Sequence, residues 1–310
     1  MTELAALPEG RPHRIVYLGT PEMAVAPLEA LVANGFEVAL VVTRADKRRG
    51  RGSELTPSPV KAAATRLGLA VTHSVADSVG VGADLGVVVA FGQLIKPDVL
   101  AVLPMINLHF SLLPRWRGAA PVERALLAGD AMTGVCLMQL EVGLDTGGVI
   151  DRTAVAIGPH QTADELRRTL VDVGTTQLVD NLRRGLGPVA PQEGDATYAA
   201  KLDPAEFAID WSRSATEIDR LVRLGVAWTT FRGKRLKVLG TAIVEGGSHV
   251  VAGSMIDPLT VACWQSALRL DRVQPEGKPV MPAVAWANGA HPHFGERLGE
   301  STPSAATGPA

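Results

Sequence analysis

The chain of 310 residues is poor in aromatic side chains, in cysteine and in long apolar runs. Its two cysteines, Cys136 and Cys263, lie far apart and have neither disulfide nor metal-site spacing, which indicates buried thiols in a reducing compartment. No apolar run approaches the roughly 20 residues of a membrane span. The first ten residues also lack the basic start and apolar core of a signal peptide. We therefore expect a cytoplasmic protein with no membrane partner.

A large excess of charge of either sign is also absent. The net charge is −2, with 46% hydrophobic and 20% charged residues. The chain as a whole is therefore not basic, and its net charge does not indicate a nucleic-acid partner. The length is sufficient for two domains. Locally, residues 210–240 hold seven Lys and Arg against three Asp and Glu, and such a patch can bind phosphates within a near-neutral chain.

The polar residues that stand out are Asn107, His109 and Asp145, all within the stretch Ile106–Ile150. Asn107 and His109 end an apolar run, and if that run is a strand, both side chains point to the same face. An amide beside an imidazole can bind a carbonyl oxygen and move a proton. Asp145 lies in a glycine-rich turn, from which a carboxylate can orient an imidazole. Spacing alone does not show that the three residues meet.

The first elements predict an α/β domain with a parallel sheet. Residues 14–18 read as a buried strand, Thr20 as the cap of a helix that starts at Pro21, and residues 36–43 as a second strand. The turn between the first strand and the helix has one glycine, Gly19, where a dinucleotide-binding motif needs Gly-x-Gly-x-x-Gly. The sequence therefore argues against a dinucleotide cofactor.

Later segments extend this domain and then change character. Central strands are predicted at residues 85–90 and 105–110, a hairpin at 134–141 and 149–157, and a helix from the cap Thr162 to Arg184. A Pro- and Gly-bearing segment follows, and residues 211–224 read as an amphipathic helix. Short strands are then predicted at 234–239, 241–245, 250–251 and 261–264, a pattern that indicates a small barrel or sandwich.

Several of these motifs resemble those of the formyltransferases that use 10-formyltetrahydrofolate. The shared features are the Asn-x-His pair, the run from Ser111 to Pro121 with its Ser-Leu-Leu-Pro turn, the Gly-Leu-Asp-Thr-Gly segment at 143–147, and Leu-Gly-Thr-Pro at 18–21. The resemblance extends from about residue 13 to about residue 290. It implies an α/β fold, with a doubly wound, mostly parallel Rossmann-like sheet followed by a smaller β-barrel of the oligonucleotide-binding (OB) type.

The same resemblance implies how the chain is divided. Residues 1–12 form a flexible leader, 13–188 the catalytic formyltransferase domain, 189–208 a linker, 209–297 an OB-like tRNA-binding domain, and 298–310 a disordered tail. The tail is also of low complexity, which by itself predicts disorder.

The resemblance further assigns the residues of the site. The catalytic residues are Asn107, His109 and Asp145. The folate-binding residues are Phe91, Gly92, Gln93, Ser111, Leu112, Leu113, Pro114, Val142 and Gly143. The tRNA-binding residues are Arg51, Lys47, Arg48, Arg49 and Lys201, most of them on a basic, glycine-punctuated loop. No residue set has the spacing of metal ligands, so no metal is expected.

The implied reaction is transfer of a formyl group from 10-formyltetrahydrofolate to the α-amino group of methionyl-initiator tRNA. The folate is a co-substrate and no cofactor is tightly bound, the tRNA partner is engaged through its acceptor arm, and the protein is a monomer. Two alternatives stay open. One is a folate-dependent enzyme acting on a small amine, such as an amino sugar or glycinamide ribonucleotide. The other is an inactive RNA-binding protein, against which the intact Asn107, His109 and Asp145 argue.

Overall fold

The computed structural model describes residues 4–48, 55–246 and 249–300, and the chain divides into two compact units. The first unit runs to Ala125 and adds Ala131–Ile157 and Glu165–Lys201. The second unit begins at Leu202 and adds Leu126–Asp130 and Gly158–Asp164.

The first unit is built on a seven-stranded sheet whose order is β10-β9-β7-β6-β1-β2-β5. Its strands, with those of two small sheets, are β1 Arg14–Gly19, β2 Glu37–Val42, β3 Lys47–Arg48, β4 Leu55–Thr56, β5 Val71–Thr72, β6 Leu85–Val89, β7 Met105–His109, β8 Arg117–Gly118, β9 Met132–Gln139, β10 Val149–Ala156 and β11 Tyr198–Ala199. The helices are α1 Val25–Ala33, α2 Pro59–Arg66, α3 Pro97–Leu100, α4 Pro121–Ala128 and α5 Ala163–Arg184. Within the described ranges, no helix combines the length and the apolarity that a membrane crossing requires.

The middle of this sheet is parallel and buried, which confirms the predicted α/β class. Strands β1, β6 and β7 run parallel, and almost all of their side chains are buried, as expected for strands covered on both faces. Strands β9 and β10 are antiparallel and close one edge. A Cβ atom at Gly19 would lie 2.9 Å from the Cβ of Ala24, so the turn after β1 requires a glycine.

The start of the first helix differs from the prediction. Thr20 does not cap it: Pro21 occupies the cap position without a side-chain bond, a 3₁₀ turn spans Glu22–Ala24, and α1 begins at Val25. The buried Tyr17 hydroxyl donates to the Ala24 carbonyl at 2.6 Å and holds this turn against β1. The Thr20 hydroxyl donates instead to the Phe91 carbonyl, at 3.4 Å, and so links two loops at the carboxyl edge of the sheet.

Residues 189–201, which are part of the predicted linker 189–208, pack within the first unit. Ala190 exchanges two backbone hydrogen bonds with Val149, at 2.7 and 2.9 Å. Strand β11 then pairs in parallel with β8. These backbone bonds explain why this part of the segment belongs to the first unit although it has no periodic pattern.

The second unit is an antiparallel sheet of five strands in the order β12-β13-β15-β14, with β16 paired to β15. Its elements are α6 Ala215–Val222, β12 Trp228–Phe231, β13 Lys234–Val244, β14 Thr260–Ala262, β15 Ala267–Pro275, β16 Met281–Pro282 and α7 Ala283–Ala290. The unit has its own apolar core, which includes Trp211, Ile218, Val238, Leu268 and Trp286. A smaller β unit after the α/β unit is therefore confirmed.

The elements of this unit differ from the predictions in detail. The helix predicted from residue 211 begins only at Ala215, because Ser214 and Glu217 form a reciprocal capping box, while Trp211 is a core residue that donates to Thr229. The two strands predicted on either side of Gly240 are one strand, β13, since the register shift at Gly240 keeps the pairing with β15. The strand predicted at 250–251 is not formed.

Candidate active site

Strand β7 presents Asn107 and His109 on one face. Both are buried, with 9% and 5% of their surface exposed. The strand lies between β6 and β9, with Asn107 opposite Val88 and Met138. Leu108 faces the other way and packs against α5, where a Cβ atom on Gly174 would come within 3.0 Å of it. The alternation of a strand therefore places the amide and the imidazole side by side on a rigid element.

The imidazole of His109 is hydrogen-bonded on one side and faces a carboxylate on the other. Its Nε2 atom is 3.0 Å from the carbonyl oxygen of Trp116, and its Nδ1 atom is 3.7 Å from Oδ2 of Asp145. A carbonyl can only accept, so Nε2 carries the proton in this bond and the neutral ring has its acceptor at Nδ1. The nitrogen that can take up a proton therefore faces the carboxylate.

Asp145 reaches His109 from the loop that follows β9. Its backbone is in the left-handed region, with φ of 50°, which is uncommon for a residue other than glycine. Its Oδ2 atom accepts a hydrogen bond from the backbone N–H of Gly118 at 2.8 Å, and only 12% of the side chain is exposed. The carboxylate is thus oriented by a fixed donor before any substrate is present.

The side-chain amide of Asn107 is uncommitted. It makes no hydrogen bond to any group in the ranges that the structure describes, and its atoms are not among the fully buried polar atoms there that lack a partner. The amide can therefore bond a ligand or an ordered water without first breaking a hydrogen bond to another described residue. Beside His109, it can donate to a carbonyl oxygen of a bound molecule. Among the described residues, no three His, Cys, Asp or Glu side chains form a group that could hold a metal ion.

Residues 91–93 follow β6 and lie at the carboxyl edge of the sheet, next to the end of β7. The Phe91 side chain is buried in the apolar core, whereas Gln93 is exposed. Gly92 has φ of 66°, and its carbonyl accepts from the Arg44 guanidinium. The exposed residues of this loop are therefore Gly92 and Gln93, while Phe91 packs inside.

Hydrogen bonds and apolar contacts within the chain fix the Ser-Leu-Leu-Pro turn after β7. The buried Ser111 hydroxyl donates to the Arg115 carbonyl at 2.6 Å and closes the turn. Leu113 packs with Cys136 and Met138, while Leu112 and Pro114 are half-buried. The turn places the backbone carbonyl of Trp116 next to His109. Its residues therefore position the site through backbone atoms.

Of the last two residues predicted to bind folate, Val142 is 56% exposed and Gly143 is also exposed. Both precede Asp145 on the same loop. A Cβ atom on Gly143 would lie 2.3 Å from the Thr146 hydroxyl, so the loop requires glycine there.

The residues predicted to bind tRNA are only partly described. Arg49 and Arg51 lie outside the described residues. Lys47 and Arg48 form β3, which pairs with β4, and Lys201 is an exposed residue at the end of the first unit.

Four contributors to the site were not predicted from the sequence. Trp116 and Gly118 act through backbone groups that no side-chain motif reveals. Thr197 accepts from the Trp116 N–H at 2.9 Å, and Gln192 binds the Asp145 loop. The last two lie in the segment predicted to be a linker, where the sequence shows no periodic pattern.

The fold and this site define a class of protein. Residues 13–182 match the family model of the formyl transferase domain, and residues 201–291 match that of the formyl transferase C-terminal domain. The chain belongs to the formyl transferase family.

Within this family the chain is similar to proteins named methionyl-tRNA formyltransferase. It is 45% identical to that of Roseobacter denitrificans over 89% of this chain and 96% of the relative, and 40% identical to that of Neisseria meningitidis over 92% and 100%. Among solved structures, an N-formyltransferase of Helicobacter canadensis in complex with folinic acid and dTDP-3-aminofucose superposes with a TM-score of 0.64. That match covers 83% of this chain and 98% of the other, and at 17% identity it shows the fold alone.

Proposed function

We propose that this chain transfers the formyl group of 10-formyltetrahydrofolate to the α-amino group of methionyl-initiator tRNA. The identity of 40–45% to proteins named for this reaction supports the assignment, and it covers about nine-tenths of the chain. The observation that carries the chemistry is the amide of Asn107, free of bonds to other described residues, beside an imidazole that is hydrogen-bonded to the Trp116 carbonyl and faces the Asp145 carboxylate.

The reaction is acyl transfer to an amine, and the site supplies what such a transfer needs. The neutral α-amino nitrogen attacks the formyl carbon, and negative charge gathers on the formyl oxygen. The Asn107 amide donates to that oxygen as the charge develops, which is the moment when a fixed donor stabilises most. His109 accepts the amine proton at Nδ1, the bond between the formyl carbon and N10 breaks, and the proton passes to N10.

The supporting residues divide into folate and RNA contacts. The folate lies at the carboxyl edge of the sheet, between the loop Phe91–Gln93 and the loop with Val142 and Gly143, above the turn Ser111–Pro114. The acceptor arm of the tRNA meets Lys201 and the basic segment 47–51, with Arg51 as its main contact. A small-molecule acceptor would not need the second unit, whose basic residues can contact phosphates. The protein acts as a monomer in the cytoplasm.

Incubation of the purified protein with 10-formyltetrahydrofolate and methionyl-initiator tRNA tests this proposal. Mass spectrometry of the product should detect formylmethionine on the tRNA. Parallel reactions with glycinamide ribonucleotide and with a nucleotide-linked amino sugar serve as acceptor controls. Formylation of a small amine without formylation of the tRNA would overturn the assignment.

A further inference from the structure

Gln192 holds the loop that carries Asp145. Its Nε2 atom donates to the backbone carbonyl of Asp145 at 2.8 Å and to that of Gly147 at 2.7 Å. Its Oε1 atom accepts from the Arg117 guanidinium, at 3.1 Å from Nε and 2.7 Å from Nη2. The two carbonyls can only accept and the guanidinium can only donate, so the orientation of the amide is fixed by its partners.

Through Arg117, the Gln192 amide connects the backbone of the Asp145 loop to the segment that binds the Asp145 carboxylate. Arg117 directly precedes Gly118, whose N–H binds the Asp145 carboxylate. It directly follows Trp116, whose carbonyl holds His109. Gln192 therefore ties the backbone of the Asp145 loop to the same short segment that orients both catalytic side chains.

The backbone conformation of the Asp145 loop requires stabilising contacts. Asp145 has a positive φ, an arrangement that persists in a non-glycine residue only when its surroundings hold it. Val142 and Leu144 on the same loop are largely exposed, so apolar packing contributes little there. The bonds from Gln192 replace that packing.

We propose that Gln192 is a positioning residue that sets the placement of the Asp145 carboxylate against His109. It acts through the backbone of Asp145 and Gly147 and touches no substrate. The part of the inference that concerns reaction rate rests on the proposed function. The part that concerns the loop is independent of it.

Two variants separate the carbonyl contacts from the Arg117 contact. Gln192→Ala removes both. Gln192→Glu keeps an acceptor for Arg117 but sets a carboxylate oxygen against two carbonyl oxygens, so it loses the loop contacts. Both variants should lower kcat for formylation by about 10- to 100-fold, as expected for misplacement of a catalytic group, with KM changed much less. Gln274→Ala, at the surface of the second unit, is the matched control.

Hydrogen exchange of the full chain supplies a readout that needs no substrate. Peptides that cover residues 140–148 should take up deuterium faster in both Gln192 variants than in the wild type or Gln274→Ala, with Tm recorded to show that the fold is kept. Unchanged exchange of this loop in the folded variants would overturn the proposal. So would a kcat within twofold of wild type, or full rescue by Gln192→Glu. If the wild type does not formylate methionyl-tRNA, the proposed function fails, and the exchange result still decides the role of Gln192.

Discussion

Nδ1 of His109 and Oδ2 of Asp145 lie 3.7 Å apart, while the same Oδ2 atom is held by the Gly118 N–H at 2.8 Å. The first distance is longer than a hydrogen bond. It is short enough for a charge pair once the imidazole has taken a proton from the attacking amine. Catalytic hydrogen bonds are often long in a free enzyme and tighten when the substrate binds. In the proposed reaction, this carboxylate stabilises the imidazolium that forms as the amine loses its proton.

Replacement of Asp145 by asparagine tests this relationship. The amide oxygen of the new side chain can still accept from Gly118, so the local structure is kept while the negative charge is lost. We expect kcat to fall by about 100-fold, within the range that general acid–base groups contribute. Single-turnover formylation measures the effect, and Asp98→Asn on the exposed side of α3 is the control. A rate close to that of the wild type would remove the charge of Asp145 from the mechanism.

Asn107→Ala tests the donor to the formyl oxygen. Loss of one such donor lowers kcat by about 10²- to 10³-fold in comparable acyl-transfer sites, and we expect an effect of this size with little change in Tm. Asn288→Ala, on the exposed face of α7, is the matched control. If the affinity for 10-formyltetrahydrofolate fell by the same factor as the rate, Asn107 would contribute to substrate binding and not to stabilisation of the transition state.

The sequence predicts part of this site because side chains on one strand have a fixed relationship. The spacing of two between Asn107 and His109 is sufficient to place them on one face. The position of Asp145 depends on a loop, and its meeting with His109 could be expected only from the resemblance to a family. Gln192 could not be predicted at all, since its partners are backbone carbonyls of residues that are 45 and 47 positions away.

In the second unit, too, local patterns predict only part of the structure. Strand β15 was not predicted, because the exposed pair Asp271 and Arg272 breaks the alternation before Val273. Its pairing with β13 includes a register shift that accommodates the extra residue. Periodicity predicts regular strands, and bulges remove that signal without removing the strand.

The ion pair between Arg232 and Glu296 predicts a pH-dependent stability. Hydrogen bonds from Arg232, with a smaller contribution from the His293 N–H, lower the pKa of Glu296 below its usual value. A carboxyl group with a lowered pKa contributes stability above its unfolded-state pKa of about 4.3 and loses it as the pH falls through the folded-state value. We expect Glu296→Gln to lower Tm at pH 7 and to differ less from wild type as the pH falls below about 4. A Tm difference that is constant with pH would contradict the electrostatic origin.

Arg51 tests the RNA contact of the basic segment 47–51. The residue lies outside the described part of the chain, and its role is proposed from the family resemblance. Arg51→Ala should raise KM for methionyl-tRNA and leave the affinity for 10-formyltetrahydrofolate unchanged. Arg168→Ala, an exposed arginine on α5, is the control for loss of one positive charge. Equal weakening of both substrates would mean that the segment shapes the catalytic pocket.

The seven basic residues between 210 and 240 differ in whether their side chains have a partner within the chain. The guanidinium of Arg232 pairs with Glu296, that of Arg213 lies near Asp210 and Glu217, and that of Arg223 donates to backbone carbonyls. Arg220 also donates to a carbonyl, at 3.4 Å. The remaining three, Lys234, Arg235 and Lys237, lie on strand β13 and have no carboxylate partner within the described ranges. They are the basic residues of this segment that remain available for phosphates.

Combined replacement of Lys234, Arg235 and Lys237 by Gln should flatten the salt dependence of tRNA binding. Each phosphate contact contributes about 0.7 to 0.9 to the slope of log affinity against log salt, so three contacts correspond to a change of roughly 2 to 3. Arg235 also stacks on Trp228 at 4.3 Å, a contact that holds its guanidinium at the surface of β13. The control is the triple replacement by Gln of Arg213, Arg269 and Arg297, which removes the same charge from residues that already have carboxylate partners. A smaller salt slope in the first triple variant alone would identify β13 as a phosphate-binding strand. Equal salt slopes for the wild type and both variants would show that β13 makes no net phosphate contact.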